Sequence, residues 1–360
     1  MNPLKYAVQK VNADVEDRPL NILCFPTHEG YQSLLDKTGH NFILLERPGA
    51  KVWETKYREI PENHIPIGNQ LINFWDIDLV LSQDRFGQLQ YARELSKQGR
   101  VPIVHVEHIE PQLDRWTKEH FREMQALRGD RHVYITEHNM VKWQTSHDGK
   151  SQFSPWNDRV IPHGIDSSVF KGWQPKDASN GGYVLYVVNY LKDRDYFCGY
   201  KQWDAVRQLV QAQLPNIEFR LVGDNPGLGS PVNDPEELAE QYRGCLAYIN
   251  TSQLSPIPMS LMEAMCSGCP IITSEKQEIP KVVKHGINGY MTNSVEDMAN
   301  HILHAIKTQQ EAAMLGEQAR LTIKQQFGMQ QFIDNWNEVF YDVLRTKGGL
   351  GTLYGQGMGK

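Results

Sequence analysis

The sequence has 360 residues, with 37 Lys and Arg against 43 Asp and Glu, a formal charge of −6 and 40% hydrophobic residues. That balance excludes collagen, coiled coil and wholesale disorder, and the length favours two domains, each able to bury a core. Mild acidity removes the broad basic surface of a dedicated nucleic-acid binder, so no nucleic-acid partner is expected. No apolar run reaches the roughly 18 residues that span a bilayer. The opening MNPLKYAVQKVNADVEDRPL lacks the apolar centre of a signal peptide, so no transmembrane segment and a cytoplasmic location are expected. Five scattered cysteines suit reduced thiols better than a disulfide framework.

Along the chain, short β-rich apolar runs alternate with helical patterns, the signature of βαβ units and parallel sheets. The predicted strands of the first half are 20–25, 41–45, 79–82, 102–106 and 133–136, with helices over 86–98 and 116–127. Asp76 and Asp78 resemble a metal-binding Asp-x-Asp but open a strand, whereas ligands gather at the carboxyl ends of parallel strands; no metal is expected there. The run VPIVHVEHIEP ends a strand with His105 and His108. An HxxH metal pair suits a helix better than a strand and has no third ligand in view. FPTHEGYQ, after the first strand, holds one glycine and so lacks the dinucleotide fingerprint.

Residues 160–182 are rich in Gly, Ser, Asp and Pro, which places the first domain over 1–165 and a linker over 166–182. Alternation restarts with strands at 183–189, 218–222, 246–250, 270–273 and 289–291 and a helix from Trp203, giving a second Rossmann-like domain over 183–331. The end, 347–360, carries six glycines and reads as a flexible tail. Cys266 and Cys269 form a CxxC pattern, but the apolar helix precedes them and Gly268 stops it. The dipole there has the wrong sign to activate a thiol, so both read as packing residues.

The strongest local signal lies at 255–290. Pro258 reads as the first residue of a helix, so the amides of Met259, Ser260 and Leu261, with the Ser260 hydroxyl, would form an anion site. Glu263, about one turn further in, could accept hydrogen bonds from a diol whose phosphates sit on the helix end, as in a nucleoside diphosphate. The plain alternative is a helix with a capping serine and an exposed glutamate.

The same stretch resembles the C-terminal signature of retaining GT-B glycosyltransferases of the family 4 type, also called glycosyl transferases group 1. The chain supplies Glu263, Ala264, Met265, Gly268, Pro270, Ile271 and Ile272, then Pro280, Val283, Gly286, Asn288 and Gly289. VIPHGID at 160–166 and RLVGDNPG at 220–227 are similar to further family segments, and 332–346 to its final helix, which crosses back to the N-terminal domain. The resemblance implies α/β architecture with two Rossmann-like domains facing each other across a cleft. It implies a metal-independent hexosyltransferase moving a sugar, with retention, from a UDP- or GDP-sugar to an acceptor hydroxyl of unspecified chemistry. No cofactor is expected, since the nucleotide sugar is the substrate.

By the same resemblance Glu263 holds the ribose and His108 stands over the donor sugar as the catalytic histidine. Arg194 and Lys201, with the amides of Met259 and Ser260, hold the diphosphate. Ser255 and Pro256 lie near the sugar, and Thr27, His28, Glu29 and Gly30 form a loop facing donor or acceptor. Two departures stand out. Ser255 replaces the first glutamate of Glu-x7-Glu, and Tyr190 takes the family arginine's place, which leaves Lys192, Arg194 and Lys201 as nearby cations. Two other functions fit the same residues: a sugar-nucleotide epimerase, and a non-catalytic protein that binds nucleotide sugars or glycans.

Overall fold

A computed structural model of the chain describes residues 18–47, 50–68, 71–145, 157–178 and 181–346; the glycine-rich end at 347–360 lies outside them. The described chain divides into two compact units. One comprises the residues up to Glu54, Ile60–Pro162 and those from Phe332 onward; the other comprises Thr55–Glu59 and His163–Gln331.

The first unit is built on seven strands: β1 Asn21–Cys24, β2 Asn41–Glu46, β3 His64–Gly68, β4 Leu79–Ser82, β5 Ile103–Glu107, β6 Arg131–Tyr134 and β7 Asp158–Val160. All are parallel, in the order β3-β2-β1-β4-β5-β6-β7, with Ile22 beside both Phe42 and Leu79. Every residue of β4, β5 and β6 is buried, as expected where helices cover both faces. Helix Gln88–Gly99 supplies one cover, burying Leu89, Ala92 and Leu95 along one stripe against Leu23, Val80 and Ile103. The sequence pattern missed β3 and β7 for a shared reason. Both are edge strands, one carrying Pro66 and the other three residues long and reading Asp-Arg-Val, so neither shows the apolar run by which a central strand is recognised.

The second unit repeats the winding with β8 Tyr183–Val187, β9 Glu218–Val222, β10 Gly229–Ser230, β11 Ala247–Asn250, β12 Ile271–Thr273 and β13 Tyr290–Met291. Its order, β10-β9-β8-β11-β12-β13, is again all parallel. In each unit the winding reverses beside the first strand, between β1 and β4 and between β8 and β11. Ligands of such sheets bind outside the carboxyl ends at that point.

Three expectations are adjusted. The helix expected from Trp203 spans Tyr200–Gln213, because Gly199 at φ 71° already provides the turn that starts it. Pro258 stands before the helix Met259–Ser267 as its cap residue, φ −69° and ψ 130°, so the first helical residue is Met259. The segment read as a linker folds with the second unit: Phe170 enters its core, and the Trp173 indole N–H donates to the Cys245 carbonyl at 2.7 Å. Apolar Phe170 and Trp173 outweigh the polar composition around them. Helix Met329–Thr346 joins the first unit from Phe332 and buries Phe332, Trp336, Val339, Phe340 and Val343. Among the described residues, no helix is long and apolar enough to cross a membrane.

Candidate active site

In the second unit, β11 runs into Thr251 to Pro258 and then into helix Met259–Ser267. No side chain caps that helix, so its first-turn amides keep the anion affinity of an uncapped, dipole-bearing end. The Ser260 hydroxyl accepts from the Tyr248 hydroxyl at 3.0 Å, which orients it without capping the helix. Glu263 is 5% exposed, so the plain reading of an exposed glutamate does not hold. Its Oε2 accepts from the Tyr242 hydroxyl at 2.8 Å. Burial pushes the Glu263 carboxyl above the ordinary range, while the Arg58 guanidinium and the Tyr242 hydroxyl pull the other way. A buried carboxylate with one oxygen anchored offers its remaining lone pairs to a second donor, such as a sugar hydroxyl.

The segment Arg194 to Gly199 lies against the loop after β11. Gln253 N donates to the Phe197 carbonyl at 2.8 Å, and a Cβ built on Gly199 would overlap the Thr251 carbonyl, so this approach requires glycine. Arg194 leads the short helix Asp195–Cys198, its guanidinium 5.4 Å from the Phe197 ring centre. Lys201 is the second residue of its helix. Its side chain is 88% exposed and its Nζ lies 3.5 Å from Asp195 Oδ2.

Sequence reasoning missed two cations. Residues 55–59 fold with the second unit and bring Lys56 and Arg58 to the strand ends. Asp224, after β9, receives Lys56 Nζ at 2.8 Å and the hydroxyls of Tyr190 at 2.6 Å and Tyr57 at 3.0 Å, all on Oδ2. Those donors, Lys56 foremost, hold the Asp224 carboxyl down at about 2. Tyr190 sits at φ 55°, a strained setting for a residue with a side chain. Arg58 donates to the carbonyls of Tyr57 at 2.9 Å and Val232 at 3.4 Å. No local pattern marks the segment, since its partners in the rest of the second unit lie 133 to 178 positions away.

In the first unit, the loop after β1 holds Thr27, His28, Glu29 and Gly30. His28 takes φ 49° and ψ 52°, and its carbonyl accepts the amides of Tyr31 and Gln32, each at 2.8 Å. Glu29 is buried and bound to Lys51 at 3.0 Å, while a Cβ on Gly30 would meet nothing within 4 Å. His108 stands one residue beyond β5. Its ring centre lies 4.3 Å from that of His28 and 4.6 Å from that of Tyr31, and its Nε2 is 3.0 Å from Gln83 Oε1. His28, Gln83 and His108 therefore meet at the carboxyl ends of β1, β4 and β5, the switch point of this sheet.

His105 lies inside β5 with Glu107, level with His132 on β6, and the three are buried together. Their ligand atoms lie within 4.8 Å of one another, a spacing a metal could use. Arg85 already supplies the cation: its Nε donates to Glu107 Oε2 at 2.6 Å and its Nη2 lies 3.0 Å from His132 Nε2, which must then be the accepting nitrogen. The pair Asp76 and Asp78 is likewise engaged, Asp78 taking Arg18 on both oxygens at 2.7 and 2.9 Å. Cys266 and Cys269 are fully buried, and burial pushes the Cys266 thiol up to about 12 and that of Cys269 well above its usual value.

Residues 217–322 match the family model described as Glycosyl transferases group 1. Two curated relatives illustrate the sequence likeness. N-acetyl-alpha-D-glucosaminyl L-malate synthase of Bacillus anthracis is 29% identical over 96 residues, 26% of this chain and 25% of the relative. An uncharacterised glycosyltransferase of Methanocaldococcus jannaschii is 30% identical over 214 residues, 51% of this chain and 53% of the relative. The chain thus spans between a quarter and about half the length of these relatives. Among solved structures, Anabaena HepE in complex with UDP and glucose has a TM-score of 0.70 at 16% identity, covering 89% of this chain and 99% of that one. Sucrose-phosphate synthase from Thermosynechococcus elongatus has a TM-score of 0.63 at 14% identity, covering 91% and 100%. At such identities the structural likeness carries the fold, which is GT-B; the Glycosyl transferases group 1 domain rests on the match in sequence.

Proposed function

We propose that this chain, a GT-B fold with a Glycosyl transferases group 1 domain in its second unit, moves a sugar with retention from a nucleoside diphosphate sugar to an acceptor hydroxyl. One observation carries the reading: an uncapped helix start at Met259 and Ser260 lies one turn from a buried, half-anchored Glu263. That pairing matches a diphosphate and a ribose diol joined by one ester. The base is taken as uracil, in keeping with the UDP and UDP-glucose of the HepE structures.

In this reading the helix dipole and first amides stabilise the charge that grows on the departing diphosphate. Arg194 joins them, and Lys201 does so by exchanging Asp195 for phosphate. Lys56 and Arg58 add positive potential at the same strand ends. In the first unit His108 is assigned to the transferred sugar and Thr27 to Gly30 to donor or acceptor; in the second unit Ser255 and Pro256 are assigned to the sugar end of the donor. No metal or cofactor takes part. The leaving phosphate takes the acceptor's proton, so no carboxylate pair is required.

The test is turnover. With UDP- and GDP-sugars offered separately against a panel of glycan, lipid and small hydroxyl acceptors, release of nucleoside diphosphate should require both donor and acceptor. Ser255 in the family glutamate's place favours a second reading, a protein that binds nucleotide sugars without turning them over. Tight binding with no product from any pair would establish that one.

A further inference from the structure

Behind His108 runs a continuous polar chain whose direction is set at its far end. Asn63 Nδ2 donates to two backbone carbonyls, Asp36 at 3.2 Å and His40 at 2.7 Å, which leaves Asn63 Oδ1 as the atom facing His64. That oxygen is 2.7 Å from His64 Nδ1, so Nδ1 carries the proton and Nε2 is the acceptor. Gln32 Nε2 donates to that Nε2 at 2.9 Å, which turns Gln32 Oε1 toward Gln83 Nε2. The Gln83 amide then presents Oε1 to His108 Nε2 at 3.0 Å. Each amide has one donating and one accepting end, so the polarity passes unchanged from Asn63 to His108.

We propose that Gln83, Gln32 and His64 are positioning residues that hold His108 in one orientation and one tautomer, with its proton on Nε2 and the lone pair on Nδ1. Gln32, Gln83 and His64 are 0%, 2% and 4% exposed, so water does not replace a missing partner. Burial also holds His64 down to about 4, which keeps its Nε2 unprotonated and accepting at neutral pH. At the other end, His28 lies against the His108 ring at 4.3 Å, at a backbone conformation that costs energy and recurs at functional sites. In this arrangement the hydrogen bond at Nε2 fixes which ring nitrogen of His108 carries the proton. The kinetic consequence rests on the reading of His108 as the residue at the transferred sugar; the tautomer does not.

The experiment is long-range proton–nitrogen NMR on the full chain labelled with 15N-histidine, paired with turnover of the active donor and acceptor. In the unmodified protein His108 should show a pyrrole-type Nε2 and a pyridine-type Nδ1, and His64 the reverse. Gln83→Met and Gln32→Met should each move His108 toward a mixture of tautomers. Both should lower turnover roughly tenfold to hundredfold, the scale of a misplaced reacting group, while UDP affinity stays unchanged. Gln32→Met is the sharper variant, since Gln32 does not touch His108. A protonated Nδ1 on His108, His64 in the same tautomer as His108, or a Gln32→Met spectrum and rate equal to the parent's would each overturn the proposal. If the variants fail to fold, the parent spectrum decides alone. A correct tautomer in a protein that turns over no donor would sink the functional reading and leave the positioning chain standing.

Discussion

In the proposed reading Glu263 holds the ribose, and its burial has a consequence in pH. A carboxylate whose pKa is raised in the folded protein binds its proton at a higher pH than an ordinary glutamate, so it favours folding at low pH and loses that contribution as pH rises through the raised value. In the same reading ribose binding needs the ionised form and shows the opposite trend. Affinity for UDP-glucose should therefore fall as pH falls toward the raised value, and Glu263→Gln should flatten that limb; titrations across pH check both. Arg194 and Lys201 are tested by contrast: their alanine variants should weaken UDP binding far more than uridine binding. Equal losses would trace to folding. His108→Ala should cut turnover and spare UDP affinity; a lowered melting temperature with both properties disturbed would mark a core histidine instead.

At the scale of elements, Gly199 and the helix Met329–Thr346 set two further expectations. Gly199→Ala places a side chain at φ 71° and against the Thr251 carbonyl, which should destabilise the second unit by about 1 to 3 kcal/mol in denaturant unfolding. Trp336 is fully buried and donates to the Tyr31 hydroxyl at 3.1 Å; Trp336→Ala should cost the first unit about 3 to 5 kcal/mol. Legibility follows from locality. Central strands such as 79–82 and the helix carrying Glu263 were readable because their apolar runs are continuous. The edge strands β3 and β7, the segment 55–59 and the chain from Asn63 to His108 were not, because polar residues found partners far along the sequence. Glu263 and His108 were legible as candidates through their motifs; Tyr242 and Gln83, which hold them, were not.

For the whole molecule, the two units share a winding and differ in what they bury. The first unit contains His40 and His64, each held down to about 4 by burial, and His105 and His132, also lowered. The unfolded chain takes up these protons near 6.5, so stability falls as pH drops from about 6.5 toward 4, by up to about 3 kcal/mol apiece for His40 and His64. Thermal melts across that window should show the first unit weakening, and a flat profile would contradict the burial of neutral histidines. The most direct measurement is calorimetric titration of UDP into the full chain and its Glu263→Ala variant. Loss of a charged hydrogen-bond partner costs about 1.5 to 3 kcal/mol, so affinity should drop roughly tenfold or more. UDP that does not bind, or that binds the variant as tightly as the parent, would contradict a nucleotide site on the helix at Met259.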